Sequence, residues 1–444
     1  MNTQPEALPR ELGEARRARV AEALGEHDVM VLCAASHRLR SRDTEYPYRP
    51  DSELYWLTGL TEPEAVAVLG GGGGELTLFL RPRHPEQELW AGVRPDPQAL
   101  GETVGAAVVH SSEELAEHLP GLLDGTDTIH FRLGADAVAE PLVLESLQRA
   151  RRRGARHGTG PRGVRDPGAI LDGLRLRKDP WEVEQIRRAA AITLDGFRAL
   201  ESALRPGVPE WELQAALEGE FRRLGSWGPA YETIVGSGAN ACTLHYVGND
   251  RVSEPGDLVL VDAGATWGLY AGDVTRTYPT SGRYDERQRE LVTLVDQARA
   301  AAVEAVAPGA TIAAVHERAE GILAEGLRDL GLLSGSLEEI REGDEFSAFF
   351  PHRTSHWLGL DVHDPGDYAR DGEATVLEPG MVLTVEPGIY VGPAAVAAAG
   401  DAARPYHGIG IRLEDDVLVT ADGRENLTGD LPSDPEGVEA GLRG

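Results

Sequence analysis

Two acidic residues stand inside neighbouring apolar segments in the second half of the chain. A tight turn at Trp267 and Gly268 would place Asp262 and Asp273 directly opposite each other on an antiparallel pair. Residues opposed in this way have Cβ atoms about 4.5–5.5 Å apart. Two carboxylates at that distance repel each other, so the pair predicts either a cation between them or a carboxyl group that keeps its proton.

A second acidic pair follows the same logic further along the chain. Glu386 and Glu414 are each 14 residues from Gly400, in the middle of a connection over residues 392–407 that we predict to be a loop. A hairpin centred there would oppose these two acids as well. Acids inside apolar strands are costly to bury unless they are paired or bind a metal. Two symmetric pairs therefore predict one shared site.

Histidines accompany these acids. His352, His356 and His363 fall within 12 residues, and His245 precedes the first acidic pair. Neutral imidazole is both a common metal ligand and a common proton carrier. Four carboxylates sum to a charge of about −4, which two divalent ions balance, and such oxygen donors suit a two-metal site better than a closed zinc cage. Paired ions about 3.5–4 Å apart can activate one water molecule and polarise a carbonyl group.

Composition excludes several other classes of function. The net charge of −30 opposes binding to nucleic acid or to an anionic membrane. No apolar run is long enough for a membrane span and the first residues do not resemble a signal peptide, so we expect a cytoplasmic protein. Cys33 and Cys242 are too few for a disulfide framework. The sequence contains no H-E-x-x-H, G-x-S-x-G or Walker A motif.

The elements that must position these residues alternate between strand and helix. Asp179 and Pro180 are a good cap and first residue for a helix over residues 181–204, and a second helix is predicted over residues 210–224. The stretch before Asp179 has the character of a domain junction. We predict an α/β (α+β) fold with two domains, residues 1–176 and residues 177–444.

The acidic and histidine motifs, in this order and spacing, resemble those of the Xaa-Pro aminopeptidases (aminopeptidase P), a branch of the pita-bread metallopeptidases. The segments that carry the resemblance are V-D-A-G (261–264), G-D-V-T-R (272–276), S-H-W-L-G-L-D-V-H-D (355–364), T-V-E-P-G-I-Y (384–390) and G-I-R-L-E-D-D (410–416). Residues 43–59 also resemble part of the aminopeptidase P N-terminal domain. The resemblance implies that domain, followed by a pita-bread catalytic domain with a curved antiparallel sheet.

The resemblance also implies an activity and a ligand set. It implies metal-dependent release of the N-terminal residue from peptides with proline in second position, by attack of a bridging water or hydroxide on the scissile carbonyl. Asp262 would bind one ion, Asp273 and Glu414 would bridge both, and His356 and Glu386 would complete the second. Glu386 would also shuttle the proton to the leaving proline nitrogen. Mn²⁺ suits these donors, and Zn²⁺ and Co²⁺ are alternatives.

Further residues are expected around the substrate. His245 and His363 would hydrogen-bond the substrate carbonyl or the tetrahedral intermediate. His352, Tyr390 and Arg412 would line the pocket for the proline ring. Together with Glu386, four of these residues form the predicted catalytic set: His245, His363, His352 and Arg412.

Two weaker assignments and two rival functions complete the expectations. Tyr231 is expected to help hold the substrate N-terminus, and Trp90 to reach the site from the N-terminal domain of the same or a neighbouring subunit. The resemblance implies a homo-oligomer, a dimer or a tetramer. The alternatives are a prolidase, which cleaves only Xaa-Pro dipeptides, and a metal-free binding module on the same fold.

Overall fold

The computed structural model describes residues 7–443, apart from the side chains of residues 87, 91 and 342. The chain forms two compact units within that range, residues 7–174 and residues 175–443. Each unit contains both helices and sheet, as the alternating sequence patterns predict.

A six-stranded sheet forms the centre of the first unit. The strands of this unit are β1 (Asp28–Cys33), β2 (Leu39–Ser41), β3 (Thr44–Glu45), β4 (Val66–Gly70), β5 (Leu76–Leu80), β6 (Val108–Ser111), β7 (Thr128–His130) and β8 (Gly163–Arg165). The order in the sheet is β6-β5-β4-β1-β7-β8, and β2 pairs separately with β3. The glycine run after β4 connects an antiparallel hairpin in which Val66 faces Phe79.

Helices cover this sheet. They are α1 (Arg10–Ala23), α2 (Ser52–Thr58), α3 (Pro85–Ala91), α4 (Pro97–Val104), α5 (Leu115–Leu122) and α6 (Ala139–Gly154), and α7 (Gly168–Leu176) follows at the boundary of the two units. Leu119 of α5 and Leu147 of α6 pack with Val31 and Phe79 of the sheet in one buried cluster. The apolar side chains that define these elements in the sequence therefore form the core of the first unit.

The second unit begins with two long helices that match the sequence prediction to within one residue. Its helices are α8 (Pro180–Ala203), α9 (Glu210–Arg223), α10 (Glu286–Ala305), α11 (Ile312–Asp329), α12 (Leu337–Glu342), α13 (Asp344–Ser347), α14 (Pro393–Ala399) and α15 (Pro435–Gly441). Asp179 accepts the Glu182 N–H at 3.0 Å, and the Glu182 carboxylate accepts the Asp179 N–H at 3.1 Å. This reciprocal cap fixes the start of α8.

The strands of the second unit fall into two groups separated by α10 and α11. They are β9 (Ile234–Ser237), β10 (Leu258–Ala263), β11 (Thr266–Trp267), β12 (Tyr270–Ala271), β13 (Val274–Pro279), β14 (Ala369–Arg370), β15 (Glu373–Ala374), β16 (Val382–Val385), β17 (Gly388–Tyr390), β18 (Gly410–Arg412), β19 (Asp415–Thr420) and β20 (Gly423–Asn426). Two three-stranded antiparallel sheets, β13-β10-β9 and β16-β19-β20, carry the acidic residues at or beside their strand ends. A pair of long helices, α8 and α9 or α10 and α11, thus precedes each of these two sheets along the chain.

The first acidic hairpin differs from the prediction by one position. Trp267 pairs with Tyr270, so the turn residues are Gly268 and Leu269, both with positive φ, rather than Trp267 and Gly268. The bulky Trp267 side chain stays buried in β11, and Leu269 takes the left-handed conformation instead. Asp262 consequently faces Thr275, and the prediction that it directly opposes Asp273 is wrong.

The second hairpin has the predicted register. Val385 pairs with Asp415, and Gly388 pairs with Arg412, so Glu386 and Glu414 occupy matching positions between the two strand pairs. The connection over residues 392–407 is not a simple loop, because it contains α14 and two short 3₁₀ turns. Its alanine-rich composition favours a helix over irregular structure.

Candidate metal centre

The acids of both hairpins line one cavity of about 480 Å³ in the second unit. Asp262 comes from the end of β10, Asp273 precedes β13, and Glu386 and Glu414 come from the second hairpin. The lining residues that the sequence analysis singled out are Tyr231, His245, Asp262, Asp273, His352, His356, His363, Glu386, Arg412 and Glu414.

Asp273, His356 and Glu414 lie at the centre of this group. One donor atom of each lies within 4.8 Å of the others. His356 Nε2 is 3.3 Å from Asp273 Oδ2 and 3.7 Å from Glu386 Oε1. Although Asp262 and Asp273 are not directly opposed, they lie on the same face of the hairpin, and their carboxylates both contact the Tyr231 hydroxyl.

Electrostatics in the cavity favour a bound cation. Burial, followed by the charge of Asp273, raises the pKa of Glu414 well above its usual range. Burial likewise raises the pKa of Glu386 to about 7 and also raises that of Asp273, where the Asp262 charge adds to it. Burial lowers the pKa of His356, but its hydrogen bond to Asp273 and the negative charges of Asp273 and Glu386 together outweigh burial and raise the value to about 9. Burial and the neighbouring negative charges both disfavour the ionised carboxylates, and a bound cation would offset these costs.

Arg412 braces one of the acids. Its Nη2 donates to Asp262 Oδ2 at 2.6 Å, and its Nη1 donates to the Tyr390 oxygen at 2.8 Å. The Thr275 hydroxyl accepts from Arg412 Nε at 3.2 Å and donates to Glu414 at 2.7 Å. The guanidinium therefore holds the carboxylates of the two hairpins in a fixed relation.

His352 and Tyr390 form a chain of hydrogen bonds beside the Arg412 guanidinium. The Tyr390 hydroxyl lies 2.8 Å from His352 Nε2, and His352 Nδ1 lies 2.8 Å from the Arg353 carbonyl oxygen. Burial and the nearby Arg412 charge lower the pKa of His352 to about 4, so its ring is neutral at pH 7. A neutral His352 ring can accept a hydrogen bond from the Tyr390 hydroxyl and donate one to the Arg353 carbonyl oxygen.

The other predicted residues lie at the edge of the cavity or outside it. His245 and His363 are exposed lining residues, and the His363 ring meets the His356 ring edge-on at 4.4 Å. Tyr390 touches His352 and Arg412 without lining the cavity itself. Trp90 lies on α3 of the first unit with 89% of its surface exposed, and its role at the site stays a prediction.

Comparison with known proteins identifies the family. Residues 184–421 match Metallopeptidase family M24, and residues 14–130 match the Aminopeptidase P, N-terminal domain. The chain belongs to Metallopeptidase family M24. Among its M24 relatives, the Xaa-Pro aminopeptidase of Escherichia coli (strain K12) is 39% identical over 98% of both chains. That of Haemophilus influenzae is 36% identical over 97% of both.

Solved structures of aminopeptidases extend this likeness to three dimensions. Pseudomonas aeruginosa aminopeptidase PepP matches this M24 chain with a TM-score of 0.93 and 38% identity, over 98% of each chain. An Escherichia coli aminopeptidase P variant in complex with substrate also matches with a TM-score of 0.93 and 38% identity, over 99% of each chain. The predicted fold, an aminopeptidase P-like N-terminal domain and a pita-bread catalytic domain, is confirmed.

Two supporting residues of this M24 metallopeptidase were not predicted from the sequence. Asp416 accepts the backbone N–H of Asp273 at 3.0 Å and thereby links the two hairpins. The Thr384 hydroxyl accepts the His356 N–H at 3.1 Å. Asp416 stands two positions after Glu414 and so points to the same face of the strand, which was the available signal. Thr384 opens the quoted T-V-E-P-G-I-Y segment, but its bond to His356 could not be predicted because the two residues are 28 positions apart.

Proposed function

We propose that this chain is an Xaa-Pro aminopeptidase, which releases the N-terminal residue from peptides with proline in second position. The observation that carries the proposal is the convergence of four acids and His356 on one cavity, in a chain that matches Xaa-Pro aminopeptidases over nearly its whole length. Prolidase is not favoured, because the full-length relatives are named aminopeptidases. The acid-rich cavity also disfavours a metal-free binding module.

The donors fit two divalent ions. Five side chains would hold them: Asp262, Asp273, His356, Glu386 and Glu414. Mn²⁺ is the proposed ion because oxygen donors predominate, with Zn²⁺ and Co²⁺ as alternatives. Two bound metal ions would supply Lewis-acid polarisation of a carbonyl group and would lower the pKa of a bound water molecule.

Glu386 is suited to move a proton near neutral pH. Its carboxyl group lines the cavity, and burial raises its pKa to about 7, where a group both accepts and returns protons readily. We assign it the transfer of a proton from the attacking water to the leaving proline nitrogen. Glu386 Oε1 lies 3.7 Å from Nε2 of His356, another proposed metal ligand, so the group that moves the proton is also next to the proposed ions.

Histidines at the cavity edge and the Arg412 group would bind the substrate. His245 and His363 would hydrogen-bond the scissile carbonyl as charge develops on its oxygen. His352 and Arg412 line the cavity as a wall suited to the proline ring, and Tyr390 holds both in place by hydrogen bonds. Proline lacks an N–H and has a fixed φ, so such a wall can orient it without losing a backbone hydrogen bond.

A metal-dependence assay tests the proposal. The protein is stripped with chelator, and Mn²⁺, Zn²⁺ and Co²⁺ are added back separately with Arg-Pro-Pro, Arg-Ala-Ala and Gly-Pro as substrates. We expect metal-restored release of arginine from Arg-Pro-Pro and little from Arg-Ala-Ala. Glu386→Gln should abolish turnover, whereas Glu378→Gln, at an exposed position, should retain it. Cleavage of Gly-Pro alone would show a prolidase, and no cleavage would favour the binding module.

Assembly and location are separate proposals. We propose a homo-oligomer, either a dimer or a tetramer, in the cytoplasm. Among residues 7–443, no helix combines the length and the apolar character needed to span a membrane. Light scattering on the purified protein gives the mass in solution, and a mass near 47.7 kDa would contradict the oligomer.

A further inference from the structure

A second group of metal-binding side chains lies in the first unit. His110 is on the edge strand β6, Glu114 ends the short 3₁₀ helix after it, and His118 is on α5. One donor atom of each residue lies within 4.8 Å of the others. None of the three lines the cavity with the acidic hairpins.

Local structure brings these three side chains together. His110 pairs with Phe79 in the parallel β5–β6 ladder, and their rings stack with centroids 5.3 Å apart. Glu114 accepts the Ser111 N–H at 3.2 Å in a capping box, which positions its carboxylate. His118 follows Glu114 by four residues, so the two side chains emerge on the same face of the helical segment.

The imidazole rings of His110 and His118 lie against each other. They stack with centroids 4.0 Å apart and an interplanar angle of 12°. Two imidazoles and one carboxylate are a donor set that zinc sites use when a fourth position remains for water.

We propose that His110, Glu114 and His118 bind a divalent transition-metal ion of the Zn²⁺ type. Because the rings are nearly parallel, one ion cannot lie in both ring planes, so one imidazole turns when the ion binds. The ion would tie the edge strand β6 to α5 and so stabilise the first unit. This site is independent of the proposed peptidase activity.

Zinc binding to the full-length protein tests the proposal. Equilibrium dialysis at fixed free Zn²⁺, followed by elemental analysis, gives the ions bound per chain for wild type, His110→Ala, His118→Ala and His157→Ala. His157 is the matched control, because it is an exposed histidine of the same unit outside the cluster. We expect the first two variants to bind about one ion fewer than wild type and His157→Ala.

The unfolding temperature is a second measurement, which distinguishes loss of the metal site from poor folding of a variant. Zn²⁺ should raise the unfolding temperature of His157→Ala more than that of His118→Ala, while both retain wild-type circular dichroism and Mn²⁺-supported activity. Equal zinc content in all four proteins would overturn the proposal. If His110→Ala fails to fold, the His118→Ala variant, at a half-buried position, decides the outcome by itself.

Discussion

Arg175 and Asp364 form a buried ion pair in the second unit. Arg175 Nη2 lies 2.7 Å from Asp364 Oδ1, and the two side chains are 3% and 2% exposed. Lys178 Nζ adds a second cation, 3.1 Å from Asp364 Oδ2. Asp364 directly follows His363, so this cluster anchors the segment that presents His363 to the cavity.

Asp364→Asn is expected to destabilise the protein. The asparagine amide carries no charge, so Arg175 and Lys178 would stay buried without a full countercharge. Breaking a buried ion pair in this way costs about 3–5 kcal/mol in the free energy of unfolding. Urea unfolding measures the loss in the free energy of unfolding. Asp367→Asn is the control, because Asp367 is exposed and should change this free energy by less than about 0.5 kcal/mol. Equal stability of the two variants would contradict the assigned role.

Arg412→Lys should weaken both metal binding and turnover. Lysine keeps the charge, but a single ammonium cannot reproduce the planar set of bonds to Asp262, Tyr390 and Thr275. Loss of such a supporting contact typically costs about 10–100-fold in metal affinity or activity. Metal titration and kcat/KM measure both effects. The exposed Arg404→Lys should match wild type, and an unchanged Arg412→Lys would show that the guanidinium geometry is not needed.

Metal affinity should rise with pH. In the metal-free protein the pKa of Glu386 is about 7 and that of His356 is about 9, so below pH 7 both groups hold protons that compete with the ion. As pH increases through these values the protons leave, and affinity should rise by on the order of tenfold per pH unit for each proton displaced. Calorimetric titrations at pH 6 to 9, in buffers of different ionisation enthalpy, give the affinity and the proton count. A flat profile would exclude proton competition at these two residues.

His363→Ala and His356→Ala should separate substrate binding from metal binding. His363 is an exposed lining residue, so its loss should lower kcat by on the order of tenfold or more and leave the metal content unchanged. His356 lies within reach of Asp273 and Glu386, so its loss should reduce the metal content as well. Elemental analysis beside kinetics distinguishes the two. Equal loss of metal in both variants would make His363 a ligand.

Local patterns account for what could be predicted along the chain. The cap at Asp179 and the helix after it depend on neighbouring residues, and the structure begins α8 within one residue of the predicted position. The matching positions of Glu386 and Glu414 followed from symmetry about Gly400, because a hairpin keeps its register through its connection. The type and order of the acidic and histidine motifs were likewise sufficient to indicate the family.

Tertiary structure decided how the two hairpins meet. Asp262 and Asp273 share a face but are not opposed, because the turn position depends on which residues accept a positive φ once Trp267 is buried. Arg412 reaches Asp262 across 150 residues of sequence, and Asp416 reaches the Asp273 backbone across 143. No local pattern encodes such contacts, since they form only when the packed core brings separate hairpins together. The sequence by itself thus determined the residue types and local elements, and packing decided which side chains support one another.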